Sequence, residues 1–312
     1  MLDEAMKNYN FKHPEAILIR HNENMTYLVK DDNKRYLLRI HKTVNGLDLS
    51  AGCRNIQRHK LIDSEIELLN LLRNVGTINT QFPIKNKYDD YITYLEDRVP
   101  VTLLSWLEGE DLQKTVITDE LAYKIGQTIG KLHNAMSIVS CPDRYYYDEV
   151  FVDKVYDDIR KAYELRHITE WNHRTMLDAL SYIRKVFIVE KQQFIFVHAD
   201  LSKSNLIYSN GEISPIDFSL SGYALAEMDL SDMSWTLHDE KLTSSLFAGY
   251  QSVTKHTINQ FFISVFTALY PISYTASHHN KRFEDEKFVQ ALDRWCDTIL
   301  TPFMMSLPGE LQ

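Results

Sequence analysis

The sequence predicts an α+β protein of two lobes: a small antiparallel, β-rich lobe over residues 1–105 and a larger helical lobe over residues 106–312. Three observations predict it. Short apolar runs separated by polar clusters fill the first forty residues. Beyond Gly109 the apolar residues change to the three- and four-residue spacing of helices. One compact β-rich segment, 194–217, interrupts the helical half. The length of 312 residues suits two domains, or one domain built as two lobes.

Residues 16–20 (AILIR), 25–30 (MTYLVK) and 35–41 (RYLLRIH) read as three strands, joined by the polar clusters 21–24 and 31–34. Connections this short make the strands antiparallel. Ile62, Ile66 and Leu69 form one stripe of a helix over 62–72. Residues 91–96 and 101–106 complete the strand set, and the lobes meet near 105–109. The segment 119–136 then carries Leu121, Ile125, Ile129, Leu132 and Met136 on one helical face. Helices are expected over 150–165 and 173–190, a buried strand at 194–197 (FIFV), and helices from 230 onward. No internal repeat or low-complexity linker is visible.

Composition excludes several classes. Hydrophobic residues make up 44% and charged residues 25%, which is ordinary globular usage. Lys plus Arg number 34 against 43 Asp plus Glu, a net charge of -9, which argues against a nucleic-acid partner. Cys53, Cys141 and Cys296 are odd in number and widely spaced, so neither a disulfide framework nor a CxxC metal knuckle is expected. The amino terminus lacks the basic start and apolar core of a signal peptide. The apolar stretch 261–274 is too short to span a bilayer. A cytoplasmic protein without a membrane partner is expected; oligomeric state is not legible. Glycine is scarce, 10 in all and none before Gly46. Neither GxxxxGK[ST] nor GxGxxG occurs, so any nucleotide is held without those loops.

The segment 196–230 (FVHADLSKSNLIYSNGEISPIDFSLSGYALAEMDL) carries the chemistry. Asn210-Gly211 is a two-residue hairpin signal, because a type I′ turn needs positive φ at both positions. Pairing across it sets Asn205 opposite Ile216, so Asn205 and Asp217 emerge at the same open end, on strands about 5 Å apart. There an amide oxygen and a carboxylate suit one hard cation. Asp200 leaves a buried strand five residues earlier and reaches the same place without being a ligand. Two oxygen ligands for magnesium on a polyphosphate, with a third carboxylate orienting a hydroxyl, is the layout of phosphoryl transfer. His198, pointing away from Asp200, reads as a structural hydrogen-bonder.

His198-Ala199-Asp200-Leu201-Ser202-Lys203-Ser204-Asn205, followed by Ile216-Asp217-Phe218, resembles the catalytic and metal-binding motifs of the protein-kinase-like fold, closest to its aminoglycoside phosphotransferase and choline kinase branch. Gly222-Tyr223 and Met228-Asp229-Leu230 resemble the segment that follows in those small-molecule kinases, where the second Asp braces the catalytic loop. The resemblance implies a bilobal kinase-like fold, with Asp200 as catalytic base and Asn205 and Asp217 as magnesium ligands. It sets Arg39 where the family has a phosphate-binding Lys, with Glu65 as its ion-pair partner and Glu67 as the competing choice. It implies that the backbone of Ser105 and Leu107, in the connector Trp106-Leu107-Glu108-Gly109, binds the nucleotide base. Leu132-His133 matches a Leu-His pair of the family.

Three departures stand out: Arg for Lys at 39, a glycine-free loop at 21–24 where Asn22 and Asn24 offer hydrogen bonds, and Ser202-Lys203 where His and Pro are usual. Lys203 is then placed to neutralise the transferring phosphate. The expectation is a kinase using ATP or GTP with Mg2+ on a small-molecule hydroxyl: an aminoglycoside or other antibiotic, an amino alcohol, a sugar or homoserine. The alternatives are a nucleotide-binding pseudokinase acting as scaffold or sensor, a protein kinase (disfavoured by the short 217–229 segment and the lack of Ala-Pro-Glu) and a metal hydrolase using His198, Asp200 and His278-His279. Tyr145-Tyr146-Tyr147 reads as core or rim, with stacking on substrate as the other choice. The acidic set Glu284, Asp285, Glu286, Asp293 and Asp297, interleaved with Lys281, Arg282, Lys287 and Arg294, reads as a solvated helix face.

Overall fold

The computed structural model describes residues 1–21, 24–42, 56–141 and 143–307; Asn22 and Cys53 lie outside them. The chain opens with a short helix α1 (Leu2–Met6) and three strands, β1 (Glu15–His21), β2 (Met25–Asp31) and β3 (Lys34–Ile40). Helix α2 (Arg58–Val75) follows, ended by Gly76 at φ 66, a left-handed cap that glycine adopts without strain. Strands β4 (Pro83–Ile84), β5 (Ile92–Tyr94) and β6 (Pro100–Ser105) complete an antiparallel sheet in the order β1-β2-β3-β6-β4, with β5 also on β6.

Alternation along these strands gives the sheet two apolar faces. Tyr27, Val29, Leu38, Ile40, Val101 and Leu103 bury against Ala5 and Tyr9 on one side. Leu37 and Leu104 face Ile66, Leu68, Leu69 and Leu72 of α2 on the other. The three amino-terminal strands expected from the sequence are all present, each within one residue of its expected bounds. The expected helix at 62–72 is longer by about a turn at its start, and the strand expected over 91–96 is only three residues long.

Residues 106–109 lead to β7 (Glu110–Asp111) and then to α3 (Asp119–Met136), β8 (Tyr145–Tyr146), α4 (Glu149–Glu164) and α5 (Glu170–Glu190). Next come β9 (Ile195–Val197), β10 (Leu206–Ser209), β11 (Glu212–Pro215) and β12 (Gly222–Ala224). The chain continues as helices α6 (Glu227–Leu237), α7 (Glu240–Gln251), α8 (Gln260–Arg282), α9 (Glu286–Trp295) and α10 (Thr301–Met305). Side-chain caps start several of these helices: Thr118 for α3, Asp148 for α4, Asp239 for α7, Asn259 for α8, and a Thr169–Asn172 capping box for α5. Phe187, Ile183, Val155, Ile159 and Leu269 share a core between α4, α5 and α8. Cys141 and Cys296 are buried free thiols. Among the described residues no helix is long and apolar enough to cross a membrane.

The scarce glycines explain how α3 and α7 meet. A Cβ on Gly126 would stand 1.9 Å from the Leu246 carbonyl oxygen, and one on Gly249 would stand 2.0 Å from that of Tyr123. The helices touch backbone to backbone, and no side chain can yield to make room. Gly126→Ala is therefore expected to lower stability by about 3 kcal/mol through forced separation of the pair. Equilibrium urea unfolding measures it, and a change under about 0.5 kcal/mol, the range of an innocuous surface substitution, would refute the close-packing account.

Candidate active site

The site begins where β9 ends. His198 is fully buried; its Nε2–H donates to the Ile216 carbonyl at 3.0 Å and its ring packs on Phe218 with centroids 4.6 Å apart. Burial holds its imidazole below its ordinary pKa, and therefore neutral. Ala199 has φ 64, a strained conformation for a residue with a Cβ. Its amide donates to Asp229 Oδ1 at 2.7 Å, and that of His198 to Asp229 Oδ2 at 2.9 Å. His133 Nε2–H donates to the same Oδ2 at 2.9 Å while its Nδ1 meets the Tyr250 hydroxyl at 2.9 Å. Burial alone would raise the Asp229 carboxyl; these donors outweigh it and hold the group below its ordinary pKa.

The hairpin expected at Asn210-Gly211 is present, with φ 52 and 86 at the turn. Its register runs from Ser209 opposite Glu212 to Leu206 opposite Pro215, and the Ile216 amide donates to the Asn205 carbonyl at 2.9 Å. Asn205 and Asp217 thus leave the open end together. Asn205 Nδ2 donates at 2.8 Å to both the carbonyl and Oδ2 of Asp200. That orientation commits the amide NH2 to Asp200 and leaves Oδ1 as the acceptor.

Asp217 sits at φ 65, ψ 68 and is met from two strands of the first sheet. Arg39 Nη2 donates to its Oδ1 at 3.2 Å and Arg20 Nη2 to its Oδ2 at 2.9 Å, while Ser219 Oγ adds a bond of 3.0 Å to Oδ1. Burial pushes the carboxyl up, but Arg39, Arg20 and Ser219 together hold it below its ordinary pKa. The other arm of Arg39, Nη1, reaches Glu65 Oε1 at 2.7 Å, with both side chains over nine-tenths buried. Glu65, not exposed Glu67, is the partner. The planar fork of Arg39 spans two carboxylates at once, which a Lys ammonium on the same strand has no second arm to do.

Lys203 lies half-buried in a single 3-10 turn, Lys203–Asn205, directly between Asp200 and Asn205 in the chain. Ser105 is tied into its sheet: its amide donates to the Phe82 carbonyl at 2.9 Å, and its carbonyl accepts from Gln81 Nε2 at 3.1 Å. Of the two backbone groups expected there, only the carbonyl keeps a lone pair for a ligand. Leu107 is in the half-buried connector that follows.

Arg144 is a residue that sequence reasoning missed. It is 0% exposed, and its guanidinium donates to the carbonyls of Phe218, Ser219, Ser221 and Leu61. It thereby fastens the turn after Asp217 to helix α2. Nothing local marks it, since its partners lie more than seventy residues away in the chain.

Beside Asp200 opens a cavity of about 750 Å³, lined among others by Asp232, Trp235, Tyr270, Tyr274 and Tyr147. Burial, then the nearby Asp229 charge, pushes the Asp232 carboxyl up to about 7. His278 and His279, which the sequence did not place near the motif, line the same cavity. Among the described residues no three His, Cys, Asp or Glu stand together as a metal-ligand set. Tyr145 and Tyr147 are buried, and Tyr146 stacks on Tyr223 at 4.7 Å, so the tyrosine run is mainly core.

Comparison with known proteins agrees with this geometry. The model of the phosphotransferase enzyme family matches residues 16–256. Amicoumacin kinase of Bacillus subtilis (strain 168) is 21% identical over 234 residues, covering 74% of this chain and 66% of that protein's length. Among solved structures, an amicoumacin kinase bound to AMP-PNP and Ca2+ superposes with a TM-score of 0.78 at 18% identity, covering 96% of this chain and 92% of the other. A microcompartment-associated aminopropanol kinase gives 0.78 at 17% identity, covering 98% and 97%. A spectinomycin phosphotransferase with ADP and spectinomycin gives 0.67 at 13% identity, covering 93% and 94%. These homologues are small-molecule kinases; the amicoumacin kinase structure holds AMP-PNP with Ca2+ and the spectinomycin phosphotransferase structure holds ADP. With the family matched over more than half its length and the bilobal fold shared, the chain belongs to the phosphotransferase enzyme family and is a phosphotransferase of the protein-kinase-like fold.

Proposed function

We propose that this phosphotransferase moves the γ-phosphate of ATP or GTP, held with Mg2+, onto a hydroxyl of a small molecule seated in the cavity beside Asp200. One observation carries the reading: Asp200 lines that cavity and also holds Asn205, which with Asp217 forms the open end of the hairpin. An acceptor binding in the cavity therefore presents its hydroxyl to a carboxylate adjacent to the nucleotide's end of the site. Asp200 orients the hydroxyl and takes its proton while the new O–P bond forms and the bond to the β-phosphate breaks, releasing the nucleoside diphosphate. Arg39, fixed by Glu65, meets the polyphosphate, and Lys203 neutralises the group in transfer. The backbone at Leu107 and the Ser105 carbonyl bind the base.

The donor set fits a hard cation: Asn205 Oδ1 and the Asp217 carboxylate would hold magnesium, leaving other positions for phosphate and water. When bound, the ion neutralises polyphosphate charge. The acceptor that suits this cavity carries a protonated amine, because Asp232 offers a carboxylate among the ring faces of Trp235, Tyr270 and Tyr274. The Tyr270 hydroxyl, pushed up to about 12 by burial and then by Asp232 and Asp200, stays protonated as a donor there. Aminopropanol and amicoumacin, the acceptors for which two of the similar kinases are named, are the first to assay.

The primary test is thermal unfolding with Mg-ATP and Mg-GTP, followed by transfer assays on amino alcohols. At 100 times its dissociation constant a nucleotide adds about 2.7 kcal/mol, a shift of several degrees. Asp217→Ala should abolish that shift. Asp200→Ala should keep it while lowering turnover by about 10³-fold or more. No shift with either nucleotide would leave the fold with a dead site and end the kinase reading.

Asp232 gives a pH signature. Its folded-state pKa of about 7 lies above the ordinary 3.8, so the folded chain holds a proton that the unfolded chain releases. Stability is therefore lost as pH rises from about 4 to 7 and levels off above. Asp232→Asn should remove that loss, on the order of 2 kcal/mol at pH 8 once solvent in the cavity is allowed for. The same variant should raise the KM of an amine acceptor with little change in nucleotide affinity. An unchanged acceptor KM would sink the amine assignment.

A further inference from the structure

A polyphosphate is usually covered by backbone amides that only glycine lets come close, yet residues 21–24 contain no glycine. The neighbouring strand supplies a cation in that place by a register device. Along β1 the ladder pairs Ile17 with Leu28 and Leu18 with Tyr27, then Arg20 with Thr26; Ile19 is an extra residue, a β-bulge. Without the bulge, Ile19 would oppose Thr26 and Arg20 would oppose Met25. Arg20 would then lie on the face that packs over Tyr9 and Leu38. A one-residue slip moves a side chain to the other face of a sheet. With the bulge, Arg20, Thr26, Arg39 and Thr102 form one row across four strands, on the face that meets α2 and Asp217. The side chain of Arg20 is 51% exposed and extends over the cleft to Asp217 Oδ2.

Resting on the kinase reading above, we propose that Arg20 is a further phosphate-binding cation beside Arg39 and Lys203, which neutralises Asp217 in the empty site and passes to the terminal phosphate oxygens when metal and nucleotide claim that carboxylate. The bulge does for this chain what a glycine-rich loop does by backbone approach. The transfer leaves no charge unpaired: the guanidinium exchanges a carboxylate oxygen for a phosphate oxygen, and Asp217 exchanges a guanidinium for the metal.

Titration calorimetry of wild type, Arg20→Gln and Arg20→Lys with Mg-AMP-PNP, Mg-ADP and AMP tests it. Arg20 is half-exposed on an edge strand, so both variants keep the fold. Circular dichroism checks this, and the Lys variant serves where the Gln variant is damaged. Arg20→Gln is expected to weaken AMP-PNP by more than tenfold, the worth of one charge-assisted bond, while leaving AMP unchanged; Arg20→Lys should recover part of the loss. Equal losses for all three nucleotides would make Arg20 merely structural. Unchanged or tighter AMP-PNP binding in Arg20→Gln would make it only a competitor for Asp217, and either result overturns the proposal alone. A wild type that binds none of the three overturns the kinase reading together with it.

Discussion

The buried carboxylate of Asp229 is the constraint on which the rest of the site depends. It is 0% exposed, and an ionised group so placed is tolerated only when donors surround it. The donors are the consecutive amides of His198 and Ala199 together with the ring of His133. Those two amides converge on one carboxylate because Ala199 takes a left-handed turn, which costs about 1–2 kcal/mol in a non-glycine residue. The strain and the buried charge compensate each other locally, and the chain leaves Ala199 with Asp200 facing the cavity. His133 ties the arrangement to α3, and through Tyr250 to α7, so the backbone contact of those helices supports the catalytic loop from behind.

On the opposite side the logic is one of mutual neutralisation. Glu65, Arg39, Asp217 and Arg20 form a chain of alternating charge running from α2 across the sheet to the hairpin end. A site proposed to receive a polyanion and a cation together must hold its own charges somewhere when empty, and leaving Glu65, Arg39 or Asp217 buried and unpaired would cost several kcal/mol. The arginine at position 39 is suited to this because it touches two carboxylates with separate nitrogens. Arg144 supplies the mechanical counterpart, holding the turn at 218–221 rigid by donating only to neutral carbonyls and a hydroxyl.

Local signals made much of this visible in the sequence. The Asn210-Gly211 turn determined the register that unites Asn205 and Asp217, and the spacing of Leu121, Ile125, Ile129 and Leu132 located α3 with its boundaries. The pairing of Arg39 with Glu65 rather than Glu67 depends on which face of α2 meets the sheet, a choice fixed by Ile66, Leu69 and Leu72 in packing rather than by the glutamates themselves. Arg20 was hidden because a bulge inserts its residue without altering composition or alternation enough to be noticed. Arg144 and the Gly126–Leu246 approach join segments from more than seventy to more than a hundred residues apart, where no periodicity carries information. Ser105 was found as a position but not in its bonding, since Gln81 reaches it from another strand connection.

The division of labour between the two kinds of residue has a consequence for specificity. The groups proposed to handle phosphate come from strands, the hairpin and the turn at 198–205, and Arg20, Arg39, Asp200, Asn205 and Asp217 are each bonded to another member of the set. Among the groups that line the cavity beside Asp200, those from α6 and α8 pair by helical spacing: Asp232 and Trp235 are three residues apart and Tyr270 and Tyr274 four, so each pair shares one helical face. Electrostatics links these side chains to the catalytic turn at two points, Asp229 to Asp232 and Asp200 to Tyr270. On the proposed reading, substitutions on those two faces exchange one acceptor for another while the buried Asp229 and Arg39 networks stay intact. Such separation lets one fold serve many substrates, because function is changed by a site grafted on the fold rather than by the fold itself.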